Sequence, residues 1–276
     1  MDAHWRQVSR PRHTVPSMRT AVSLPPFTDP ATLVAMAVEA ENAGWDGVFL
    51  WDHVVLFPEM GLDVHNPWVL LGAMAQATER VVLGTLVTPL ARRRPQSVAR
   101  ELITLDHLSS GRALLGVGLG EPAEFDFAAF GDPEDARVRA ARLDEGLTVI
   151  DGLLRGPLHH EGEHFHVDAE LRPRPVQQPR PPIWVAGVTP HRRPLERALR
   201  WDGFVPISLS SLMSPEDIAA YLDGVDRPDG WELVANLAPG YGPEDYEAIG
   251  ATWVIEGAWP VEDWVAELRD RIKGGP

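Results

Sequence analysis

Hydrophobic positions along the chain fall into two alternating rhythms. Short apolar runs rich in β-branched residues recur at 19–24 (RTAVSL), 46–51 (DGVFLW), 80–86 (RVVLGTL), 112–117 (RALLGV), 183–187 (IWVAG), 202–206 (DGFVP), 231–236 (WELVAN) and 251–256 (ATWVIE). Between and after them, longer segments of helical periodicity occupy 30–43, 67–78, 95–108, 136–154, 190–200, 215–223, 243–249 and 260–272. Strands that alternate with helices predict a parallel sheet, because each parallel step needs a crossover connection. Eight such units with right-handed crossovers predict an α/β fold closed as a (β/α)8 TIM barrel. An open doubly wound sheet is the competing architecture, but no Gly-x-Gly-x-x-Gly turn follows the first strand.

Boundary residues agree with these elements. Asp29-Pro30 opens the first helix, Gly44 follows it, and Ser214-Pro215 opens the sixth. Two stretches interrupt the rhythm as insertions after strand four and before strand five. Residues 121–135 read as a loop with short helical pieces, and 156–182 as a β-hairpin followed by a proline-rich return. The sixth and seventh helices are short, which makes the last third of the barrel its thinnest part.

The chain has 276 residues, 44% of them hydrophobic and 24% charged, a globular composition. It has no cysteine, which excludes disulfides, thiolate nucleophiles and cysteine-ligated metals. A cytoplasmic setting is the plain expectation. No apolar run is long enough to span a bilayer, and residues 1–17 lack the apolar centre of a secretory signal. They read as a flexible leader upstream of a start at Met18, leaving 18–276 as a single barrel domain. A net charge of −15 argues against a general nucleic-acid binder. An anionic ligand would have to find local arginines, and Arg92-Arg93-Arg94 and Arg192-Arg193 are the two clusters.

In a barrel, reactive groups belong at the carboxyl ends of the strands, where the βα loops converge. Those ends carry Asp52-His53, Glu121 and Glu256 as titratable groups. A histidine beside a carboxylate can move protons near neutral pH, and a second carboxylate could supply one. The same pair can also be a helix cap or a hydrogen-bonded corner, and Glu121 a solvated side chain. Arg92-Arg93-Arg94 read as a solvated or interface cluster. His159, His160, His164 and His166 crowd one hairpin, but the first strand end, Ser23-Leu24-Pro25, offers none of the paired histidines that a barrel metallohydrolase uses, so no metal is expected. Trp51 and Trp68 could wall a ring-binding cavity.

Three blocks, AENAGWDGVFLWDH, TERVVLGTLVTPLARRRPQSVARELITLDHLSSGRALLGVGLGE and RPRPVQQPRPPIWVAG, resemble the bacterial luciferase-like monooxygenase family, including its branch that uses the deazaflavin F420. The resemblance covers about residues 19–205. It implies a barrel that binds F420, or alternatively FMN, at its carboxyl face. It assigns His53 and Glu121 to proton handling beside the ring, and Asp52 to the same strand end. It places a non-proline cis peptide between Leu86 and Val87, within a ring-backing segment that includes Thr85. It places Gly118 and Gly120 at the glycine-containing fourth strand end, and Ala186, Gly187, Val188 and Thr189 by the cofactor tail, where His191, Arg192 and Arg193 could add charge. Hydride transfer to or from a small organic substrate is the implied activity. An FMN-dependent monooxygenase using dioxygen and a non-catalytic flavin-binding barrel are the alternatives. A homodimer and a partner reductase are implied as well.

Overall fold

The computed structural model describes residues 18–276; the expected leader, 1–17, lies outside the described residues. Chain order runs β1 (Arg19–Leu24), α1 (Pro30–Ala43), β2 (Gly47–Leu50), α2 (Pro67–Ala77), β3 (Val82–Pro89), α3 (Pro95–Leu108), β4 (Ala113–Gly118), α4 (Ala123–Asp126) and α5 (Ala136–Arg155). It continues β5 (Leu158–Glu161), β6 (His166–Ala169), β7 (Ile183–Val188), α6 (Arg192–Ala198), β8 (Gly203–Ile207), α7 (Pro215–Tyr221), β9 (Glu232–Asn236), α8 (Pro243–Glu247), β10 (Trp253–Gly257) and α9 (Trp264–Gly274). Eight strands close into one parallel barrel in the order β1-β10-β9-β8-β7-β4-β3-β2, and β5 and β6 form a separate antiparallel pair between α5 and β7. The expected TIM barrel is therefore present, and the open sheet is excluded.

Helix starts follow from local chemistry. Pro30, Pro67, Pro95, Pro215 and Pro243 each open a helix, where the missing N–H is no loss. Asp29, Asn66, Asp135 and Ser214 accept first-turn N–H groups through their side chains. The thin last third is real: α6 and α7 have seven residues each and α8 five. The final helix starts at Trp264 rather than near 260, because Asp263 adopts φ +61° and turns the chain first.

Alternation along the strands separates two apolar layers. Val22, Leu24, Val48 and Leu50 face the helices, whereas Ala21, Phe49, Leu114, Trp184, Val205, Val234, Trp253 and Ile255 fill the barrel. Inside, Phe49, Trp184 and Trp253 meet edge-to-face with centroids 5.4–5.8 Å apart. At the amino end, the Arg19 guanidinium lies 4.2 Å from the Trp253 ring centroid and pairs with Glu232, which also accepts the Trp184 indole N–H at 2.7 Å. The amino end is thereby plugged, so the cavity can open only at the carboxyl end. No described helix is long and apolar enough to cross a membrane.

Candidate active site

The β2 strand stops at Leu50, and the three residues after it go three different ways. Trp51 donates its indole N–H to Ser23 Oγ at 2.7 Å, which fixes the ring beside Phe27 (5.9 Å), Trp259 (5.6 Å) and the His53 ring (6.2 Å). Asp52 turns back into the protein. His53 stays at the rim with 17% of its side chain exposed.

The carboxylate beside His53 is Asp126, not Asp52. His53 Nδ1 lies 2.8 Å from Oδ2 of Asp126, whose side chain is fully buried at the end of α4. Asp126 Oδ1 accepts the N–H groups of Val54 (2.8 Å) and Val55 (2.9 Å). Burial by itself would raise the Asp126 carboxyl, but the His53 ring and these two amides outweigh it and hold the group below the usual carboxylate range. An ionised Asp126 can only accept, so His53 Nδ1 carries a proton, and whenever the ring is neutral its lone pair lies at Nε2. Nε2 has no hydrogen-bond partner among the described residues. The expectation that Asp52 and His53 form the working pair is corrected accordingly.

Asp52 is 2% exposed. Its Oδ1 accepts from Arg92 (3.0 Å) and Arg93 (2.8 Å), its Oδ2 accepts from the Thr88 hydroxyl (3.0 Å), and Arg92 also donates to its backbone carbonyl at 2.5 Å. Arg92 and Arg93 are thus mostly buried ion-pair partners, which corrects their reading as a solvated or interface cluster. Thr85 belongs to the same hidden layer: it is fully buried, 2.9 Å from the Thr88 hydroxyl, and donates to Gly116 O at 3.2 Å.

Between Thr85 and Thr88 the register of β3 against β4 shifts, and the Leu86–Val87 peptide is cis, as the resemblance implied. This bulge extends the strand to Pro89, beyond the expected end at 86. It presses on β4, where a Cβ on Gly116 would sit 2.3 Å from Thr85 O and one on Gly118 2.7 Å from Val87 Cγ2. Glycine at both positions is what lets the bulge fit. Leu86 and Val87 then join Ala186 and Ile207 in the inner layer, near the mouth. Gly120 adopts φ +83°, and a Cβ there would strike Pro89 and Phe127.

Glu121 is 56% exposed, and its two oxygens accept from Arg139 Nη2 (2.9 Å) and from Ala123 N–H (3.1 Å). Arg139 is buried, donates to the carbonyls of Leu119, Gly120 and Glu134, and stacks on Phe127 at 4.8 Å. The structure therefore gives Glu121 a visible job in bracing the loop that carries Asp126. Glu256 faces the helix layer, paired with Arg271 of α9; burial pushes its carboxyl up and Arg271 draws it down.

At the end of β7, Gly187 is required by packing, since a Cβ would lie 2.1 Å from Pro194. Thr189 continues the ladder, with its N–H on Ile207 O at 2.8 Å, and Pro190 has no N–H. Among the described residues the amides left open at this turn are therefore those of His191, Arg192 and Arg193 at the start of α6. Arg192 is already occupied, donating to Tyr221 O at 2.5 Å and lying over the Tyr221 ring. On the hairpin, His160 lies 3.2 Å from Glu145, while His159 and His166 are largely exposed. Trp68 is buried in the outer, helix-facing layer at the start of α2.

Asp126 is the residue that sequence reasoning passed over. A signal existed: in AEFDFAAF a lone carboxylate is flanked by phenylalanines, an expensive place for a charge unless a partner meets it.

Comparison with known proteins agrees with this architecture. The chain is 35% identical over 205 residues to an F420-dependent glucose-6-phosphate dehydrogenase of Nakamurella multipartita, covering 72% of this chain and 59% of that one. It is 34% identical over 235 residues to the enzyme of the same name from Beutenbergia cavernae, covering 81% of this chain and 68% of that one. Several curated relatives are matched over only about half of their own length. An F420-dependent secondary alcohol dehydrogenase solved with an F420-acetone adduct superposes with a TM-score of 0.75 at 18% identity, covering 92% of this chain and 98% of that one, a likeness of fold. The model of the luciferase-like monooxygenases matches residues 8–222, so the chain belongs to the luciferase-like monooxygenase family.

Proposed function

We propose that the protein is an F420-dependent oxidoreductase that moves a hydride between the deazaflavin and a small organic substrate. The observation that carries this reading is the His53–Asp126 pair after β2, with Nε2 unpartnered among the described residues, at the same end of the barrel as an apolar seat. That seat suits a flat ring: Leu86, Val87, Ala186 and Ile207 are apolar, and Gly118 presents no side chain. The relatives named for F420-dependent dehydrogenation support the same cofactor. His191, Arg192 and Arg193 offer N–H groups, and Arg193 an exposed guanidinium, to a phosphate-bearing tail.

When bound, the deazaflavin supplies the hydride acceptor or donor. The chain's own residues handle the proton. In alcohol oxidation the carbinol carbon loses a hydride and its hydroxyl loses a proton to His53 Nε2, leaving a carbonyl; reduction returns both. Asp126 holds Nδ1–H and so keeps Nε2 as the acceptor. Trp51 and Phe27 keep water from that side of the ring. Asp52 and Thr85 act from within, and Glu121 from the surface, fixing the two loops that meet at His53–Asp126.

Fluorescence titration of the purified protein with F420 and with FMN tests the first step. Saturable binding of F420 at micromolar concentration is expected, and His53→Ala should keep that binding while losing turnover by about 10²- to 10⁴-fold. Binding of neither cofactor removes the reading. Oxygen uptake driven by reduced FMN, without F420 binding, would replace it by a monooxygenase.

We also infer a homodimer through the α2–α3 face. Val69 and Leu108 are 73% and 40% exposed beside a groove of about 440 Å³, and Trp68 Nε1 is buried there without a partner among the described residues. Light scattering should give twice the 30.4 kDa chain mass, and Val69→Glu should halve it. A wild-type monomer at micromolar concentration refutes the dimer.

A further inference from the structure

We infer that the substrate is an uncharged, largely apolar alcohol or ketone, held by an aromatic and aliphatic rim, and not a sugar phosphate or other anion. This inference rests on the oxidoreductase reading above and specifies its substrate.

The first argument is a census of cations. Of the loops after the barrel strands, those at 25–29, 51–66, 119–135, 208–214, 237–242 and 258–263 contain no lysine or arginine. They contain carboxylates instead, Glu59, Asp63, Glu124, Glu134, Glu262 and Asp263 among them. Of the arginines that approach the mouth, several are already engaged: Arg92 and Arg93 share Asp52, Arg93 also lies 3.5 Å from Glu101, Arg139 pairs with Glu121, Arg142 lies 3.5 Å from Asp132, Arg192 donates to Tyr221 O and Arg271 pairs with Glu256. Among the described residues this leaves Arg94, Arg137 and Arg193, exposed at the starts of α3, α5 and α6, and Arg193 is assigned above to the cofactor tail. Within the six loops named above an anionic substrate would therefore meet carboxylates and no cation to offset its desolvation.

The second argument is the composition of the rim. Trp259 and Val261 in the loop after β10, and Leu209 and Leu212 in the loop after β8, are 53%, 58%, 77% and 52% exposed. Trp259 stands 5.6 Å from Trp51, whose ring is held by Ser23 and leads inward to His53. Large apolar side chains left open at the rim of a cavity mark it as a binding surface. Here they stand in loops at the same end of the barrel as His53, whose Nε2 is unpartnered among the described residues, so an apolar body with a single hydroxyl or carbonyl matches both features.

Ligand-observed NMR with acetophenone and with glucose 6-phosphate, on protein with and without F420, tests this without relying on turnover. Acetophenone should show saturable contacts, little changed by raising the salt, and Trp259→Ala should weaken it by about tenfold while F420 affinity stays the same. Leu212→Ser provides a second variant if Trp259→Ala does not fold. Glucose 6-phosphate should show no saturable binding. Salt-sensitive binding of glucose 6-phosphate, or F420 binding with no acetophenone contact, overturns the inference. Failure of F420 itself to bind is a different result and removes the oxidoreductase reading instead.

Discussion

Asp52→Ala is expected to destabilise the fold by about 3–5 kcal/mol, the usual cost of removing one member of a buried ion pair. The reason is what it leaves behind. Arg92 and Arg93 would keep their buried guanidiniums with no carboxylate between them, and the Nε atoms of both already lack partners. The Thr88 hydroxyl would lose its acceptor as well. For a domain of this size that is a fall in Tm of roughly 5–10 °C. One neighbour softens the loss: Glu101 lies 3.5 Å from Arg93, and its carboxyl is pushed up by burial first, while Arg93 lowers it and Asp52 raises it. Without Asp52, Arg93 can turn to Glu101. The double variant Asp52→Ala/Glu101→Gln should therefore lose more stability than the sum of the two single variants. Thermal unfolding of the four proteins checks both statements. A change below about 2 °C in Asp52→Ala, or strict additivity, would show that Asp52 does not anchor these arginines.

The same site shows how far the sequence could be read. The barrel was legible because its signal is local: eight β-branched runs, each followed by a periodic segment, leave few other closures. The place of Asp52-His53 was legible too, since it follows from where the second strand ends. The pairing was not, because the partner of His53 lies 73 positions away on a one-turn helix whose period is too short to register. Arg92 and Arg93 looked like solvated charge for the same reason. Their burial is decided by Asp52, forty residues upstream in space-filling contact, not by their own neighbours. Strand β7 runs past its expected end at 187 because a strand continues for as long as its neighbour supplies carbonyls, and Ile207 O accepts the Thr189 N–H. The Leu86–Val87 cis bond was expected from the resemblance and not from propensity, whereas Gly116 and Gly118 record in β4 the space that the bulge takes.

Asp126 separates a catalytic arrangement from a merely structural one, and Asp126→Asn and Asp126→Ala should separate differently. In the asparagine variant the side-chain oxygen can still accept from Val54 and Val55, so the loop is kept. Its amide would then face His53 Nδ1 as a donor, which forces Nδ1 to accept and moves the ring proton to Nε2. The acceptor at the mouth becomes a donor, and turnover is expected to fall by about 10²- to 10⁴-fold, with a smaller fall in Tm than in the alanine variant. Alanine also leaves two amides without acceptors, adding a stability loss of about 2–4 kcal/mol. Acid provides an independent check. Because the folded Asp126 carboxyl is held below its unfolded value, its contribution is complete above that unfolded value, near pH 4, and is lost as the pH falls through the lower folded value. The stability gap between wild type and Asp126→Asn should thus be constant from neutral pH down to about pH 4 and shrink below it. Urea unfolding across that range measures the gap, and steady-state turnover at neutral pH measures the tautomer. If Asp126→Asn keeps its activity within twofold, the proton at His53 is not set by Asp126 and the proposed role of Nε2 falls with it.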